Sequence, residues 1–514
     1  MYLCNLNNFN ALYVMTKFLL RRIRTVLALV MFVLITLLFL DFTGVMHKYF
    51  SFLAKIQFLP AVLSLNFVIV AVLLVLTFVF GRIYCSVICP LGIMQDVFSK
   101  VHSMRKKNRF TFHKEIKLVR YGIFVLFVAA MCFGLASFVA LLAPYSSFGR
   151  IVQNLFSPIY LFFNNILAYV SERMNSYTFY PQEVFIKSMA TFVVAILTFA
   201  VIGLLAWKRG RLYCNSICPV GTFLSFVSRF SLLKINIDES KCIKCDKCTR
   251  NCKAECINGK ENIVDYSRCV VCGNCMASCP KDAIKYSFLK KKDSQQSREE
   301  NKKDVDVSKR AFLTSAAILT TSVAIAQQKK KVDGGLAVIE DKKAFKRTNP
   351  IVPPGALSLK NFHQRCTGCQ LCVSKCPNNV LRPSSDLLHL MQPEMSFEKG
   401  ACRVECSMCS DVCPTGAIRK INPEEKTTIK IGTAHWVEEN CIVSKDGKDC
   451  GNCARHCPAF AIFMVPLNPD DENSPKVPSV NEEHCIGCGM CEYVCPSRPF
   501  SAIYVEGSLV HQTI

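Results

Sequence analysis

Cysteines arranged in six short runs constrain this chain more than any other feature. The sequence holds 31 cysteines among 514 residues, and most recur at gaps of two or three residues, as in CIKCDKCTRNC at 242–252. Thiols this close together cannot staple distant parts of a fold, but they can surround a cube of iron and sulfur. The spacing therefore predicts six [4Fe–4S] clusters, one for each run.

The first two runs follow bacterial ferredoxin spacing, in which the fourth cysteine of each run ligates the cluster of the other. One predicted cluster uses Cys242, Cys245, Cys248 and Cys279, and the other uses Cys269, Cys272, Cys275 and Cys252. Lys253 stands where a proline is expected, and Cys256 lies three residues beyond it. Spacing favours Cys252 as the ligand, with Cys256 as the alternative.

Four further runs follow, and each ends in C-x-x-C-x-x-x-C-P. The first gap is wider in the second and third of them, which predicts a loop that bulges from the cage and not a lost ligand. The gaps between runs are similar, so neighbouring runs can pair sequentially, or the first can pair with the fourth and the second with the third. The predicted ligands are Cys366, Cys369, Cys372, Cys376, Cys402, Cys406, Cys409, Cys413, Cys441, Cys450, Cys453, Cys457, Cys485, Cys488, Cys491 and Cys495.

Four apolar stretches in the first half are long enough to cross a bilayer as helices, which takes about 20 residues. They lie at 25–43, 58–80, 118–143 and 184–207. We therefore predict an all-α membrane domain of four transmembrane helices. Further spans follow the first stretch, which argues against a cleaved signal peptide.

The charges between these stretches predict their orientation. Residues 100–120 hold eight basic residues and one acidic residue, and residues 208–237 hold five basic residues and no acidic one. Residues 144–183 hold two of each sign. Basic loops stay in the cytoplasm, so both ends of the four-span unit are expected there and 144–183 outside. The net charge of +24 thus indicates a membrane surface and not a nucleic-acid partner.

An internal repeat follows the second and fourth stretches: GRIYCSVICPLG at 81–92 and GRLYCNSICPVG at 210–221. If each C-x-x-x-C segment is helical, its two thiols face the same way, since residues i and i+4 are neighbours. Two pairs can then converge to hold a metal or an additional cluster, or to act as redox-active dithiols. The alternative is that they only pack a helix end. The four residues are Cys85, Cys89, Cys214 and Cys218.

The segment 289–340 joins the two halves. Its first part, to residue 310, is charged and reads as a solvated linker. Residues 311–326 are apolar but few for a span, and the preceding Ser-Lys-Arg gives them the look of a weakened twin-arginine export signal. If they form a fifth, linking helix, the C-terminal half lies outside; if they form a surface helix, both ferredoxin parts are cytoplasmic.

These features predict a multidomain protein with an all-α membrane domain and α+β bacterial ferredoxin-like modules. The expected divisions are a four-span domain at 1–237, a two-cluster module at 238–288, a linker at 289–340 and a four-cluster domain at 341–514.

At this point the chain resembles known families. Residues 17–290 resemble the NapH-type quinol dehydrogenase subunit of periplasmic nitrate reductase systems, with its spans, its two C-x-x-x-C-P motifs and its two clusters. Residues 305–505 resemble the NapG/MauM-type ferredoxin, a likeness carried by KGACRVECSMCSDVCPTGAI and ENCIVSKDGKDCGNCARHCP. The two subunits look fused into one chain.

The resemblance implies a bacterial inner-membrane protein of anaerobic respiration. It would take electrons from menaquinol or ubiquinol in the quinone pool and relay them to a periplasmic reductase, such as nitrate reductase, or to a cytochrome partner. The first ferredoxin module would be cytoplasmic and the C-terminal ferredoxin domain periplasmic. An accessory role in assembling or maturing a respiratory metalloenzyme is the alternative, because such proteins share the span and C-x-x-x-C-P plan.

Other signals narrow the chemistry. The sequence lacks the glycine-rich nucleotide fingerprints and the C-x-x-C-H haem motif, which argues against a soluble dehydrogenase using NAD and against covalent haem. A quinol site needs proton acceptors near the membrane surface. His47, His113 and Asp96 qualify by position, although each is expected to be an interface or positioning residue.

Overall fold

The computed structural model describes residues 3–41, 43–105, 110–288, 340–471 and 474–514. The predicted fifth helix at 311–326 lies outside these residues. Three parts are visible, which we call the N-terminal helical domain (3–228), the first ferredoxin module (233–288) and the C-terminal ferredoxin domain (340–514).

All the secondary structure described in the N-terminal helical domain is helical. A π-helix, Val152–Phe156, lies between α10 and α11. The α-helices are α1 (Leu3–Leu40), α2 (Val45–Phe50), α3 (Phe52–Lys55), α4 (Phe58–Leu63), α5 (Phe67–Phe80), α6 (Tyr84–Val87), α7 (Pro90–Arg105), α8 (Lys117–Cys132), α9 (Ala136–Leu142), α10 (Pro144–Ile151), α11 (Ser157–Arg173), α12 (Met189–Arg209), α13 (Leu212–Ser216) and α14 (Pro219–Ser228).

Three helices in the described residues are long and apolar enough to cross a membrane: Leu19–Leu40, Pro144–Arg173 and Met189–Arg209. The first and third match predicted stretches. The number of four spans therefore stays a prediction.

Two predicted stretches are interrupted. The stretch 58–80 divides into α4 and α5, because Leu65 has a left-handed backbone (φ 56°) and the Asn66 side chain accepts a 3.2 Å hydrogen bond from a backbone N–H of α5. The stretch 118–143 divides into α8 and α9 beside Gly134, whose φ is 74°. An asparagine N-cap starts a new helix, and a left-handed glycine commonly ends one. A count of apolar residues detects neither signal.

The segment 144–183, expected to be a loop, is mostly helical. Its helix carries buried polar side chains, among them Arg150 (0% exposed) and Asn154 (8% exposed). Spans were predicted from uninterrupted apolar stretches, and these polar residues interrupt the stretch. The helix was therefore not predicted as a span.

The first ferredoxin module is closed by two small antiparallel sheets. β1 (Leu233–Ile237) pairs with β4 (Ile284–Phe288), and β2 (Ile257–Asn258) pairs with β3 (Ile263–Val264). Two short helices, α15 (Lys247–Arg250) and α16 (Asn274–Ser278), follow the paired cysteines of each run. The module thus begins at β1, five residues before the predicted boundary at 238.

The C-terminal ferredoxin domain contains three two-stranded antiparallel sheets, β5–β6, β8–β9 and β7–β10. Its strands are β5 (Leu381–Pro383), β6 (Pro393–Met395), β7 (Ile429–Trp436), β8 (Ile462–Pro466), β9 (Lys476–Val480) and β10 (Ile503–Thr513). Its helices are α17 (Leu359–Arg365), α18 (Leu371–Lys375), α19 (Met408–Val412), α20 (Pro423–Thr427), α21 (Ile442–Asp446), α22 (Asn452–Arg455) and α23 (Met490–Val494), with a 3₁₀ turn at Glu438–Asn440.

The two ferredoxin parts contact opposite ends of the apolar segment Leu19–Leu40 of α1. Near the start of this segment, Arg21 packs against Gly273 of the first ferredoxin module. Just after its end, Asp41 forms a 2.8 Å ion pair with Lys375 of the C-terminal ferredoxin domain. At 1.5 Å per residue these contacts are about 30 Å apart. The helical domain therefore separates the two ferredoxin parts.

Candidate metal centres

Left-handed residues shape the predicted cluster loops. In four of the six runs, the residue before and the residue after the second cysteine both have positive φ. Backbone N–H groups then point inward as a nest for negative charge. In the first C-terminal run, for example, the amides of Gly368 and Leu371 donate to the thiols of Cys366 and Cys369. The four pairs are Lys244 and Asp246, Val271 and Gly273, Gly368 and Gln370, and Gly487 and Gly489.

The fourth cysteine of a run has its own signature. In four of the six runs its sulfur accepts a hydrogen bond from the amide four residues later, as Cys279 does from Ala283 at 3.3 Å and Cys376 does from Val380 at 3.4 Å. The residue three positions after it is left-handed in five of the six runs: Glu255, Asp282, Asn379, Gly416 and Phe460.

This signature distinguishes Cys252 from Cys256. Glu255, three residues after Cys252, has φ 51°, and the amide of Cys256 donates to the Cys252 sulfur. Cys252 also neighbours Cys275, whose pKa is raised by burial and by the nearby thiols. The Cys256 thiol lies 3.6 Å from that of Cys252 and also hydrogen-bonds Cys269 of the same set. The loop geometry favours Cys252 as the ligand, and this assignment stays a prediction.

The C-terminal runs pair sequentially, an arrangement that the sequence left open. Three cavities in this domain are each lined by three cysteines of one run and the fourth cysteine of its neighbour. Cys413 completes the remaining set, since the thiols of the first run raise each other's pKa together with it. The sets are Cys366, Cys369, Cys372 and Cys413; Cys402, Cys406, Cys409 and Cys376; Cys441, Cys450, Cys453 and Cys495; and Cys485, Cys488, Cys491 and Cys457.

These four sets form a row. The Cys402 amide donates a 3.0 Å hydrogen bond to the Cys488 carbonyl, which joins the second set to the fourth. The first set lies against the helical domain, because the backbone of Cys369 passes so close to Gly149 that a side chain there would clash. Electrons could therefore pass from the helical domain outward through consecutive sets.

The repeat brings its four thiols together. Cys85, Cys89, Cys214 and Cys218 are each at most 5% exposed. Burial, then the thiols of Cys214, Cys89 and Cys85, raise the pKa of Cys218 well above its usual value. The convergence was predicted on the condition that each C-x-x-x-C segment forms one continuous helix, and neither segment does. Cys85 and Cys214 lie in α6 and α13, whereas Pro90 and Pro219 start new helices directly after the second cysteines.

Buried arginines cross between the two repeats at this four-thiol centre. Arg82 of the first repeat donates to the Cys214 carbonyl at 3.1 Å, and Arg211 of the second donates to the Cys85 carbonyl. Both arginines are 0% exposed. Each repeat thus supplies the positive charge beside the thiols of the other.

Only one of these arginines is neutralised by the contacts described. Asp96 accepts two 2.7 Å hydrogen bonds from Arg211 and also pairs with Lys253 at 2.5 Å. The hydrogen bonds described for Arg82 go to neutral oxygens of Asn215, Ser267 and Cys214 and to the Cys85 sulfur. The excess positive charge favours an anionic occupant, such as thiolates or an iron–sulfur cluster.

The three residues suggested for a quinol site have structural contacts. Asp96 is held in the ion pairs just described, and His113 lies 3.2 Å from Glu255. His47 lies 3.3 Å from Asp41 at the interface with the C-terminal ferredoxin domain. A cavity beside this interface was not predicted from the sequence. Its walls come from distant parts of the chain and contain no recognisable quinol-binding motif.

The donor sets fit iron–sulfur clusters. Each is made of cysteines alone, the ligands these clusters take. In four of the six runs, backbone amides also turn inward, where they stabilise a negative core. Among the residues that the structure describes, no group of three or more histidine, cysteine, aspartate or glutamate side chains is close enough to hold a single metal ion.

Comparison with known families supports this reading. A model described as a 4Fe-4S binding domain matches residues 64–109 and 190–238, whose cysteines are those of the four-thiol centre. Models described as 4Fe-4S dicluster domains match residues 365–418, 448–498 and 265–380. The first of these encloses the first sequential pair of runs, and the second covers the other pair except Cys441. No solved structure matches the chain.

Curated relatives are ferredoxin-type proteins. The methylamine utilization ferredoxin-type protein MauM of Methylophilus methylotrophus is 31% identical over 170 residues, which are 31% of this chain and 72% of that protein. MauM of Methylobacillus flagellatus is 32% identical over 152 residues, 28% of this chain and 62% of that protein. Ferredoxin-type protein NapG of Escherichia coli is 31% identical over 153 residues, 28% of this chain and 64% of that protein.

The match thus spans somewhat less than two thirds of two of these relatives and more of the third. Together with the dicluster domains, this similarity shows that the chain belongs to the MauM and NapG family of iron–sulfur, ferredoxin-type electron-transfer proteins.

Proposed function

We propose that this protein is a membrane-bound relay that oxidises menaquinol or ubiquinol and passes the electrons to a periplasmic reductase or cytochrome. The observation that carries the proposal is the row of thiol sets that begins against the helical domain and leads outward through the C-terminal ferredoxin domain. A row of clusters can be graded in potential, because charge and hydrogen bonds tune each one. When bound, the clusters supply one-electron transfer.

The residues that would hold the clusters are the six cysteine sets. In the first ferredoxin module they are Cys242, Cys245, Cys248 and Cys279, and Cys269, Cys272, Cys275 and Cys252. In the C-terminal ferredoxin domain they are the four sequentially paired sets. The left-handed loops hold the amides of these segments toward the sulfurs, so the chain itself favours the reduced, more negative state.

We assign a seventh cluster to the four-thiol centre. The 4Fe-4S binding model matches around both halves of this centre. Arg82 and Arg211 supply positive charge in a buried site, where a negative cluster needs it. Tyr213, next to Cys214, donates a 3.2 Å hydrogen bond to the Leu142 carbonyl, two residues before the helix that contacts the C-terminal ferredoxin domain. The centre therefore lies between the two ferredoxin parts.

The membrane orientation is part of the proposal. The helical domain would span the bacterial inner membrane, with the first ferredoxin module in the cytoplasm and the C-terminal ferredoxin domain in the periplasm. The packing of the two parts at opposite ends of the apolar segment Leu19–Leu40 supports this arrangement, as do the basic loops near the first ferredoxin module. Fusion of NapH-like and NapG-like parts would keep donor and acceptor in one chain.

The test uses anaerobically purified full-length protein mixed with a reduced menaquinol analogue. Bleaching of the cluster absorbance, with electron paramagnetic resonance signals of reduced clusters, is expected on the timescale of turnover. Reduction by dithionite but not by quinol would overturn quinol oxidation and favour the assembly role. Iron analysis should give about 28 iron atoms per chain for seven cubanes, against about 24 if the four-thiol centre binds none.

A further inference from the structure

A cavity of about 310 Å³ lies between the helical domain and the C-terminal ferredoxin domain. All three long apolar helices reach it: Leu40 at the end of α1, Leu161 in the middle of Pro144–Arg173 and Phe192 near the start of α12 line its walls. Pockets for small ligands begin at about this size. Its opposite wall is the loop and helix of the first C-terminal run, including Cys376. The cavity thus adjoins both an apolar surface and a predicted cluster ligand.

Two glutamine side chains at this cavity each keep one buried polar atom without a hydrogen-bond partner among the described residues. Gln370 is 1% exposed, and its Oε1 accepts a 3.0 Å hydrogen bond from Asn154, but its Nε2 has no acceptor. On the facing helix, the Oε1 of Gln153 has no donor. Buried polar groups are nearly always hydrogen-bonded, so an unused donor and an unused acceptor at one cavity indicate a ligand that supplies both.

The helix that carries Gln153 and Asn154 is distorted there. Residues Val152–Phe156 form a π-helix between α10 and α11. Such bulges cost stability and often occur at functional sites, because they turn side chains to positions that a regular helix cannot offer. Here the bulge brings both amide side chains to the cavity wall.

The cations at the cavity are already engaged. Lys187 donates to the Val373 carbonyl at 2.7 Å, and Lys375 pairs with Asp41 at 2.8 Å. The exposed Glu183 carboxylate also lines the cavity and disfavours a phosphate or carboxylate head group. The two unpartnered atoms belong to neutral amides, which suit the hydroxyl and carbonyl oxygens of a quinol or quinone ring.

We propose that this cavity binds the head group of the membrane quinol, an assignment that rests on the proposed function. The Nε2 of Gln370 donates to one ring oxygen, and the Oε1 of Gln153 accepts from a ring hydroxyl. The isoprenoid tail leaves past Leu161 and Phe192 into the lipid. The ring is held against the wall that carries Cys376, a predicted ligand of the second C-terminal set. Gln153 and Gln370 are therefore substrate-binding residues.

The test measures binding of a fluorescent hydroxyquinoline N-oxide, a quinol analogue, to the cluster-loaded full-length protein in detergent. Gln370→Leu and Gln153→Leu should each weaken binding roughly tenfold, since each removes one hydrogen bond and leaves an analogue oxygen unpaired. Leu161→Trp should also weaken it by filling the cavity while sparing both amides. Gln364→Leu is the matched control, because Gln364 is exposed on α17 outside the cavity.

Iron content and cluster absorbance check that each variant is folded. Equal binding by wild type and by all folded cavity variants would overturn the assignment and leave quinol oxidation intact. Binding that is weakened as expected, in a protein whose clusters quinol does not reduce, would support the site and overturn the proposed function instead. An analogue that does not bind the wild type overturns the site.

Discussion

The Lys375 ammonium of the C-terminal ferredoxin domain lies 2.8 Å from the Asp41 carboxylate at the end of α1, with both side chains 4% exposed. Asp41→Asn should destabilise the docked protein by about 3–5 kcal/mol, because it leaves a buried ammonium without its counter-charge. Thermal unfolding of the purified protein measures this loss.

Lys375→Met should cost less. The Asp41 carboxylate would keep its hydrogen bonds from the amides of Thr43, Gly44 and Met46, whereas Asp41→Asn also weakens those. The double variant should be more stable than Asp41→Asn alone. Strict additivity of the two effects would contradict the ion pair, since coupled groups give non-additive changes.

His47 should make this interface sensitive to acid. Burial, followed by the charge of Lys375, lowers the pKa of His47 to about 4, so the ring stays neutral in the folded protein. In the unfolded chain it takes up a proton near pH 6.5, so the stability it contributes is complete above about pH 6.5 and is lost as the pH falls toward 4. The melting temperature should drop across this window.

The variant His47→Asn removes the titration and should flatten this part of the pH profile. His484→Asn serves as the matched control because His484 is exposed in the C-terminal ferredoxin domain. It should keep the wild-type profile. A His47→Asn protein with the same acid sensitivity as wild type would show that other groups control the transition.

Two glycines should be essential to the four-thiol centre. A side chain on Gly92 would clash with the Cys85 carbonyl, and one on Gly221 with the Cys214 carbonyl. Gly92→Ala or Gly221→Ala should therefore cost the protein about four iron atoms per chain, the content of one cubane. Gly122→Ala should cost none, since nothing lies within 4 Å of the methyl group it adds.

Cys252 and Cys256 should differ in iron analysis. We expect Cys252→Ala to lose about four iron atoms per chain and one reduced-cluster resonance, as a missing cubane would. Cys256→Ala should retain both, because the left-handed residue three positions on and the amide that donates to the sulfur belong to Cys252. The reverse result would make Cys256 the ligand.

Cysteine spacing predicted much of the candidate site because cluster loops are local structures. Seven residues from Cys366 to Cys372 fix most of one set, whatever the rest of the chain does. The fourth cysteine of each set comes from another run, so its identity depends on the tertiary structure. Similar gaps allowed nested or sequential pairing, and only the cavities shared by Cys376 with Cys402 and by Cys495 with Cys441 distinguish the two.

The helical domain was harder to predict because its function-bearing residues are polar. Arg150 and Asn154 broke the apolar run of the helix that ends at Arg173. The cavity could not be predicted from the sequence, because Gln153 and Gln370 are 217 positions apart and belong to no motif. Hydropathy identifies apolar segments, whereas the cavity depends on polar residues that interrupt them or lie outside them.

The crossed arginines have a consequence for synthesis. The ribosome releases Arg82 and Cys85 more than a hundred residues before Arg211 and Cys214, so the first repeat lacks these contacts until the second repeat has been made. Neither repeat completes the four-thiol centre by itself. The centre therefore forms only after both repeats have been synthesised and packed together, and a chain truncated between them cannot form it.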